Sequence, residues 1–184
     1  AKNTPQFIYP VTYSDIKNVS VINTNTVEIK WKPSTNQIFD HYSLFKTNVQ
    51  SGKTDIIKLT VPVYYDKSVF TSNYNYLYKV SETDKCSNSS QVNLEGKTIL
   101  LNGTTTNYNS LLTWNTYKNW LAGIKSYTVE IEKYGKFNAI KTFTNSDTFF
   151  NHKQQLENIH GPYCYRVFAV SGDNKDTSYS NISC

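Results

Sequence analysis

Apolar and polar side chains alternate with a period of two through much of this chain. Tyr42 and Leu44 flank Ser43, while Tyr127, Val129 and Ile131 alternate with Thr128, Glu130 and Glu132. Such alternation puts every second side chain on one face of a strand, the pattern of a sheet buried on one side. Clusters of Asn, Ser, Asp and Gly punctuate the runs. Strands are predicted at 16–22, 27–32, 41–47, 54–60, 63–66, 74–82 and 90–94. A second set is predicted at 98–102, 109–114, 125–132, 137–142, 147–150, 162–170 and 178–183. Seven short strands per set is the pattern of a β-sandwich.

The two sets are copies of one another. Val27-Glu28-Ile29-Lys30-Trp31 corresponds to Leu111-Leu112-Thr113-Trp114, and His41-Tyr42-Ser43-Leu44-Phe45 to Ser126-Tyr127-Thr128-Val129-Glu130-Ile131. Val63-Tyr64-Tyr65-Asp66-Lys67 corresponds to Thr148-Phe149-Phe150-Asn151-His152-Lys153, and Tyr76-Leu77-Tyr78-Lys79-Val80 to Tyr163-Cys164-Tyr165-Arg166-Val167. The offset drifts only from 83 to 87 residues. An all-β pair of tandem sandwiches follows, over 1–95 (with 1–10 an extended lead-in) and 96–184. Trp31, Tyr42 and Tyr78 are expected in the first core, and Trp114, Tyr127 and Tyr165 in the second. Only Glu95-Gly96-Lys97 separates the last strand of one copy from the first of the next, which predicts a stiff connection.

Composition supports the β reading: aromatic residues make up 15% of the chain, Met is absent and Ala is scarce. The net charge of +5 rests almost wholly on lysine, since Arg166 is the sole arginine. Lys30 and Lys32 alternate around Trp31 as on a solvated strand face, so nucleic-acid binding is not expected. No run approaches the roughly 18–20 apolar residues of a membrane span, and Ala1-Lys2-Asn3-Thr4 lacks an apolar export core. The expectation is a soluble fragment, either cytosolic or already trimmed of its targeting segment.

The early-strand Trp, the third-strand Tyr and the Tyr-x-Tyr-x-Val strand with its Ser-rich return resemble fibronectin type III domains in both halves. A narrower resemblance is carried by Lys97-Thr98-Ile99-Leu100-Leu101, Leu112-Thr113-Trp114-Asn115-Thr116-Tyr117, Trp120 and Gly123-Ile124-Lys125-Ser126-Tyr127. With Tyr163-Cys164-Tyr165-Arg166-Val167 and Ser178-Tyr179-Ser180-Asn181-Ile182-Ser183-Cys184, these segments are similar to repeats of Bacteroidetes surface proteins. In that family such repeats precede a C-terminal domain associated with gliding motility and type IX secretion. The resemblance implies an extracellular or cell-surface location and a non-catalytic role, adhesin or gliding-motility in type, holding neighbouring domains of a larger protein apart. Two departures stand out: Asn115-Thr116-Tyr117 replaces the Asn-Pro-Tyr common in the family, and no sorting domain is present in this chain.

If 171–177 form a hairpin connection, Val170 pairs with Ser178 and Cys164 falls opposite Cys184. That register predicts a disulfide and an oxidising compartment, against the alternative of two cytosolic thiols. Cys86 is left over, as a free thiol or an intermolecular link.

Reactive constellations are sparse. His41, His152 and His160 are scattered, no Gly-x-Ser-x-Gly is present, and seven glycines are too few for phosphate cradles. Glu130 and Glu132 share a strand face with no acidic cluster opposite, and Asp84, Asp173 and Asp176 are too sparse for a calcium cage. Four Asn-x-Ser/Thr sequons, at Asn18, Asn88, Asn102 and Asn181, are no more than this composition yields by chance. No catalysis, cofactor or metal is expected. The alternative to a display module is recognition of a glycan or a surface protein through loop aromatics around Tyr117 and Trp120, which otherwise cover the core or the domain junction. A paired-sandwich receptor of the cytokine-receptor kind is a third reading, although its Trp-Ser-x-Trp-Ser motif is absent and Ser178-Tyr179-Ser180 stands at that place.

Overall fold

The computed structural model describes residues 14–92, 94–106, 109–118, 120–144, 147–153 and 163–184. The expected lead-in over 1–10 and His160 lie outside them. Strands β1 (Ile16–Asn23), β2 (Thr26–Trp31) and β5 (Val63–Asp66) form a three-stranded sheet in the order β1-β2-β5. Strands β3 (Phe39–Asn48), β4 (Thr54–Leu59), β6 (Tyr76–Asp84) and β7 (Glu95–Lys97) form a four-stranded partner in the order β4-β3-β6-β7. The plan then recurs with β8 (Leu101–Thr106), β9 (Asn109–Trp114) and β12 (Phe149–Lys153) ordered β12-β9-β8. Against them stand β10 (Ile124–Lys133), β11 (Lys136–Thr144), β13 (Tyr165–Ser171) and β14 (Thr177–Tyr179), ordered β11-β10-β13-β14. Every strand has its equivalent seven elements later, and all pairings within the sheets are antiparallel. The chain is two fibronectin type III-like sandwiches, as the repeat predicts.

Each core is built from the alternate residues of both sheets. Trp31 lies edge-on to Tyr42 with ring centroids 5.4 Å apart, and Trp114 is tilted against Tyr127 at 5.9 Å. The tyrosine hydroxyls are used the same way twice. Tyr42 accepts the Ser34 N–H at 2.7 Å, and Tyr127 accepts the Tyr117 N–H at 2.7 Å. In both copies the donor stands three residues after the tryptophan, so each ring pins the turn that leaves its strand.

The passage between the sandwiches differs from the expectation. Residues 95–97, expected as a linker, are strand β7, with Tyr78 opposite Gly96. Residues 90–94, expected as a strand, contribute no ladder among those described; instead Ser90 N–H and Oγ bond back to Glu82. The first four-stranded sheet thus runs to Lys97, two residues past the expected limit of 95. Gly96 is required by packing, because a Cβ there would lie 2.4 Å from Val19 Cγ2 and 2.9 Å from Ile16 Cγ2. Beyond it, Thr98 N–H bonds Tyr76 O, Leu100 N–H bonds Asn115 Oδ1 and Leu101 N–H bonds Asn181 Oδ1. The chain therefore crosses from one sandwich to the other with each of those amides satisfied.

Candidate functional site: two polar centres and a junction

The alternation that carries Tyr42 and Leu44 into the first core also carries Lys46 there. Its ammonium lies 2.8 Å from Asp66 Oδ2 and donates to Ser68 O and Ser68 Oγ at 2.9 and 3.0 Å. Asp66 is fully buried at the end of β5 and also accepts from Tyr78 OH at 2.8 Å and from Ser68 N–H and Oγ. Burial by itself raises the Asp66 carboxyl, but hydrogen bonds from Lys46, Ser68 and Tyr78 and the lysine charge bring it below its ordinary value. Burial beside the carboxylate pushes the Tyr78 phenol far up, so it stays a donor. All members are committed to one another, so the cluster is a sealed ion pair that offers no reactive group to a substrate.

The same place in the second sandwich is chemically different. Lys46 faces Tyr78 across β3 and β6, and its counterpart opposite Tyr165 is Ile131. Asp66 faces Val27 across β5 and β2, and its counterpart opposite Ser110 is His152. His152 Nδ1 is 2.9 Å from Tyr165 OH, which donates to Ser110 Oγ at 3.2 Å. Burial, with the Lys133 charge nearby, holds the imidazole below its ordinary value of 6.5, so neutral histidine is the resident form. Tyr165 stands between the histidine and Ser110, which is itself 1% exposed, so the three do not form a nucleophile and base pair.

The remaining candidates have structural partners. Glu130 pairs with Arg166, whose guanidinium lies over the rings of Phe137 and Tyr179 at 4.1 and 4.6 Å. Asp84 accepts the N–H groups of Cys86 and Asn88 at 2.8 and 2.9 Å, and Asp173 accepts from Ser171 Oγ at 2.7 Å, so both cap turns. Among the described residues no three His, Cys, Asp or Glu side chains stand together as a metal-binding group. Cys86 is a free, exposed thiol.

Cys164 and Cys184 are joined by a disulfide with their Cα atoms 4.0 Å apart. The hairpin register differs by one residue from the expected pairing of Val170 with Ser178, since Val170 faces Thr177. One extra residue then enters the final segment. From Phe168 to Tyr165 is three steps, whereas from the partner Tyr179 to Ser183 is four. Tyr165 and Ser183 exchange both backbone hydrogen bonds, which makes the next pair, Cys164 and Cys184, the close non-bonded one. The inserted stretch also ties down the neighbouring sheet, since the Asn181 amide bonds both N–H and C=O of Leu101, at 2.7 and 2.9 Å. Asn181 is 2% exposed, so its sequon is closed to glycosylation.

Tyr117 and Trp120 do not form an open platform. Tyr117 is 2% exposed and accepts the Val19 N–H at 3.0 Å, while its own hydroxyl donates to Asn18 Oδ1 at 3.2 Å. Burial raises its phenol well above the usual range. Trp120 packs on it with centroids 4.3 Å apart and donates its indole N–H to Lys17 O at 3.0 Å. Both rings are turned toward the first sandwich by the free edge of β1, which is the junction covering that the sequence set beside a stacking surface. Strand β14 meets that edge as well. Ser178 Oγ donates to Val19 O at 2.6 Å, Tyr179 N–H to Ser20 Oγ at 3.0 Å and Asn18 Nδ2 to Thr177 O at 2.9 Å. Lys17 O, Val19 N–H and Val19 O all lie on the side of β1 away from β2, so the second sandwich completes the edge of the first. Residues 98 to 159 positions apart make these contacts, and no local pattern along β1 signals them.

No protein-family model matches the chain, and no curated protein sequence matches it. Solved structures similar to it include a two-domain fibronectin type III segment of chicken tenascin, at 16% identity over 92% of this chain and 95% of that one, with a TM-score of 0.38. The chicken interferon gamma receptor alpha chain is similar at 14% identity over 95% of this chain and 97% of that one, with a TM-score of 0.39. The FN1–FN3 domains of chicken CNTN1 are similar at 11% identity over 93% of this chain and 65% of that one, with a TM-score of 0.39.

Proposed function

We propose that this chain is a non-catalytic display module of a secreted or cell-surface protein, holding neighbouring domains at a fixed separation. The observation that carries this reading is the junction: side chains of the second sandwich bond the edge of β1, which joins the two sandwiches as one unit. A spacer needs that rigidity and no reactive group. The Cys164–Cys184 disulfide supports an oxidising, extracellular setting. The repeats' likeness to Bacteroidetes surface proteins supports an adhesin or gliding-motility parent, with a type IX sorting domain following in its gene.

Spin labels at Cys86 and at an introduced Lys136→Cys report on the unit directly, both positions being exposed. A single narrow distance distribution is expected, broadened in a variant carrying Tyr117→Phe and Trp120→Ala. A broad distribution in the unaltered chain defeats the spacer reading. Protease treatment of intact source cells tests location, with release of the module expected and full protection contradicting surface display.

A further inference from the structure

Strands β1 and β14 run side by side in the same direction. Asn18 meets Thr177, Val19 meets Ser178 and Ser20 meets Tyr179, each at a separation of 159 residues. A constant difference marks parallel neighbours, whereas antiparallel neighbours keep a constant sum. Ser180, just past β14, leaves β1 and forms its own parallel bridge with Ile99 of the segment that crosses between the sandwiches. Parallel contact between the first and last described strands has a mechanical consequence. Tension entering ahead of β1 pulls it toward its N-terminal end, and tension leaving after β14 pulls that strand toward its C-terminal end. The two pulls oppose each other along the strand axes, so the bonds between them are sheared together. Antiparallel strands loaded this way open one bond at a time.

Resting on the display reading above, in which the chain holds its neighbours at a fixed separation, we propose that it also carries tension between them and that β1 and β14 form a load-bearing clamp across the junction, anchored by the Cys164–Cys184 disulfide. The disulfide supplies what a three-residue strand lacks. Without it, a pull at residue 184 peels the final segment from β13, starting at the Tyr165–Ser183 pair. With it, the pull reaches Cys164 and so β13, which is held on its other side by β10. Tyr117 and Trp120 thicken the clamp by gripping Val19 N–H and Lys17 O from the β9–β10 loop. Ser178 is fully buried, so water does not compete for its bond to Val19. Load passes between β1 and β14 and, through the disulfide, into β13 and its neighbour β10, and the remaining strands are spared.

Single-molecule pulling at constant force tests this in two geometries. Handles fused at the two ends load the clamp; one handle on the free Cys86 thiol and one at the C-terminal end bypass β1. Forced opening is governed by the unfolding rate, so lifetime is the readout. End to end, Ser178→Ala should shorten the lifetime about tenfold, the size of one buried hydrogen bond. Tyr117→Phe should do likewise, and Cys164→Ser with Cys184→Ser should do more. In the Cys86 geometry Ser178→Ala should change the lifetime by less than about twofold. Equal effects in both geometries would make the contact a general stabiliser and overturn the clamp; so would no effect end to end. Surface display is read separately by the protease experiment, so the two proposals fail independently.

Discussion

The two sandwiches share a strand plan and a Trp–Tyr pair, yet they close their centres with opposite chemistry. The first buries Lys46 against Asp66, while the second puts Ile131 and neutral His152 in those places and adds a disulfide nearby. The comparison teaches that the fold demands volume and satisfied polar atoms at this position, not a particular set of charges. A buried ion pair stabilises little relative to apolar residues of equal size, but breaking it is costly. An uncharged centre avoids that hazard, and the second copy gains its extra hold covalently.

The largest break in the comparison comes from Lys46→Met, which strands a buried carboxylate and should cost about 3–5 kcal/mol. Adding Asp66→Leu should restore most of that loss in urea unfolding, because the charge is then gone. A double variant as unstable as the single one would mean that the pair itself holds the core.

Removing the disulfide should act on the other sandwich. Cys164→Ser with Cys184→Ser opens a loop with a sequence separation of 20 and should cost about 3 kcal/mol. Peptide-resolved amide exchange should show faster opening in β13 and β14, with β2, β3 and β6 little changed. Uniform acceleration across both sandwiches would count against separate centres.

Acidification gives the smallest separation. His152 sits below its ordinary 6.5 when folded, so the unfolded chain binds more protons as pH falls through that value. The second sandwich therefore holds its full contribution above about pH 6.5 and loses it below. Asp66 is also depressed when folded, from an ordinary 3.8, so its contribution to the first sandwich is present above that value and lost only as pH falls through the lower folded one. Amide protection factors, which divide out the slower intrinsic exchange in acid, should fall between pH 7 and 5 in β12 and β13 before β5 and β6, and His152→Phe should remove the difference.

Much of the strand plan was legible because period-two alternation is local: β2, β3, β9 and β10 fall within about two residues of expectation. Lys46 was legible in principle, standing two residues beyond Leu44 on the buried face, but a lysine there reads as solvated unless Asp66 is known to meet it. The disulfide register followed from a hairpin that was one residue out and was restored by the insertion at Asn181, whose partner Leu101 is 80 residues away. Strand β7 was displaced because Glu95-Gly96-Lys97 has the composition of a turn, and only contact with Val19 and Ile16 explains the glycine.

The sequence by itself determined the two sandwiches, their aromatic pairs and the cysteines that face each other, since alternation and repeat are properties of neighbouring residues. Only the tertiary structure decided that Tyr117 and Trp120 serve the junction, that β1 lies parallel to β14 and that Lys46 is paired. Those outcomes depend on which distant backbone edge comes within about 3 Å of a side chain, and no local pattern encodes that distance.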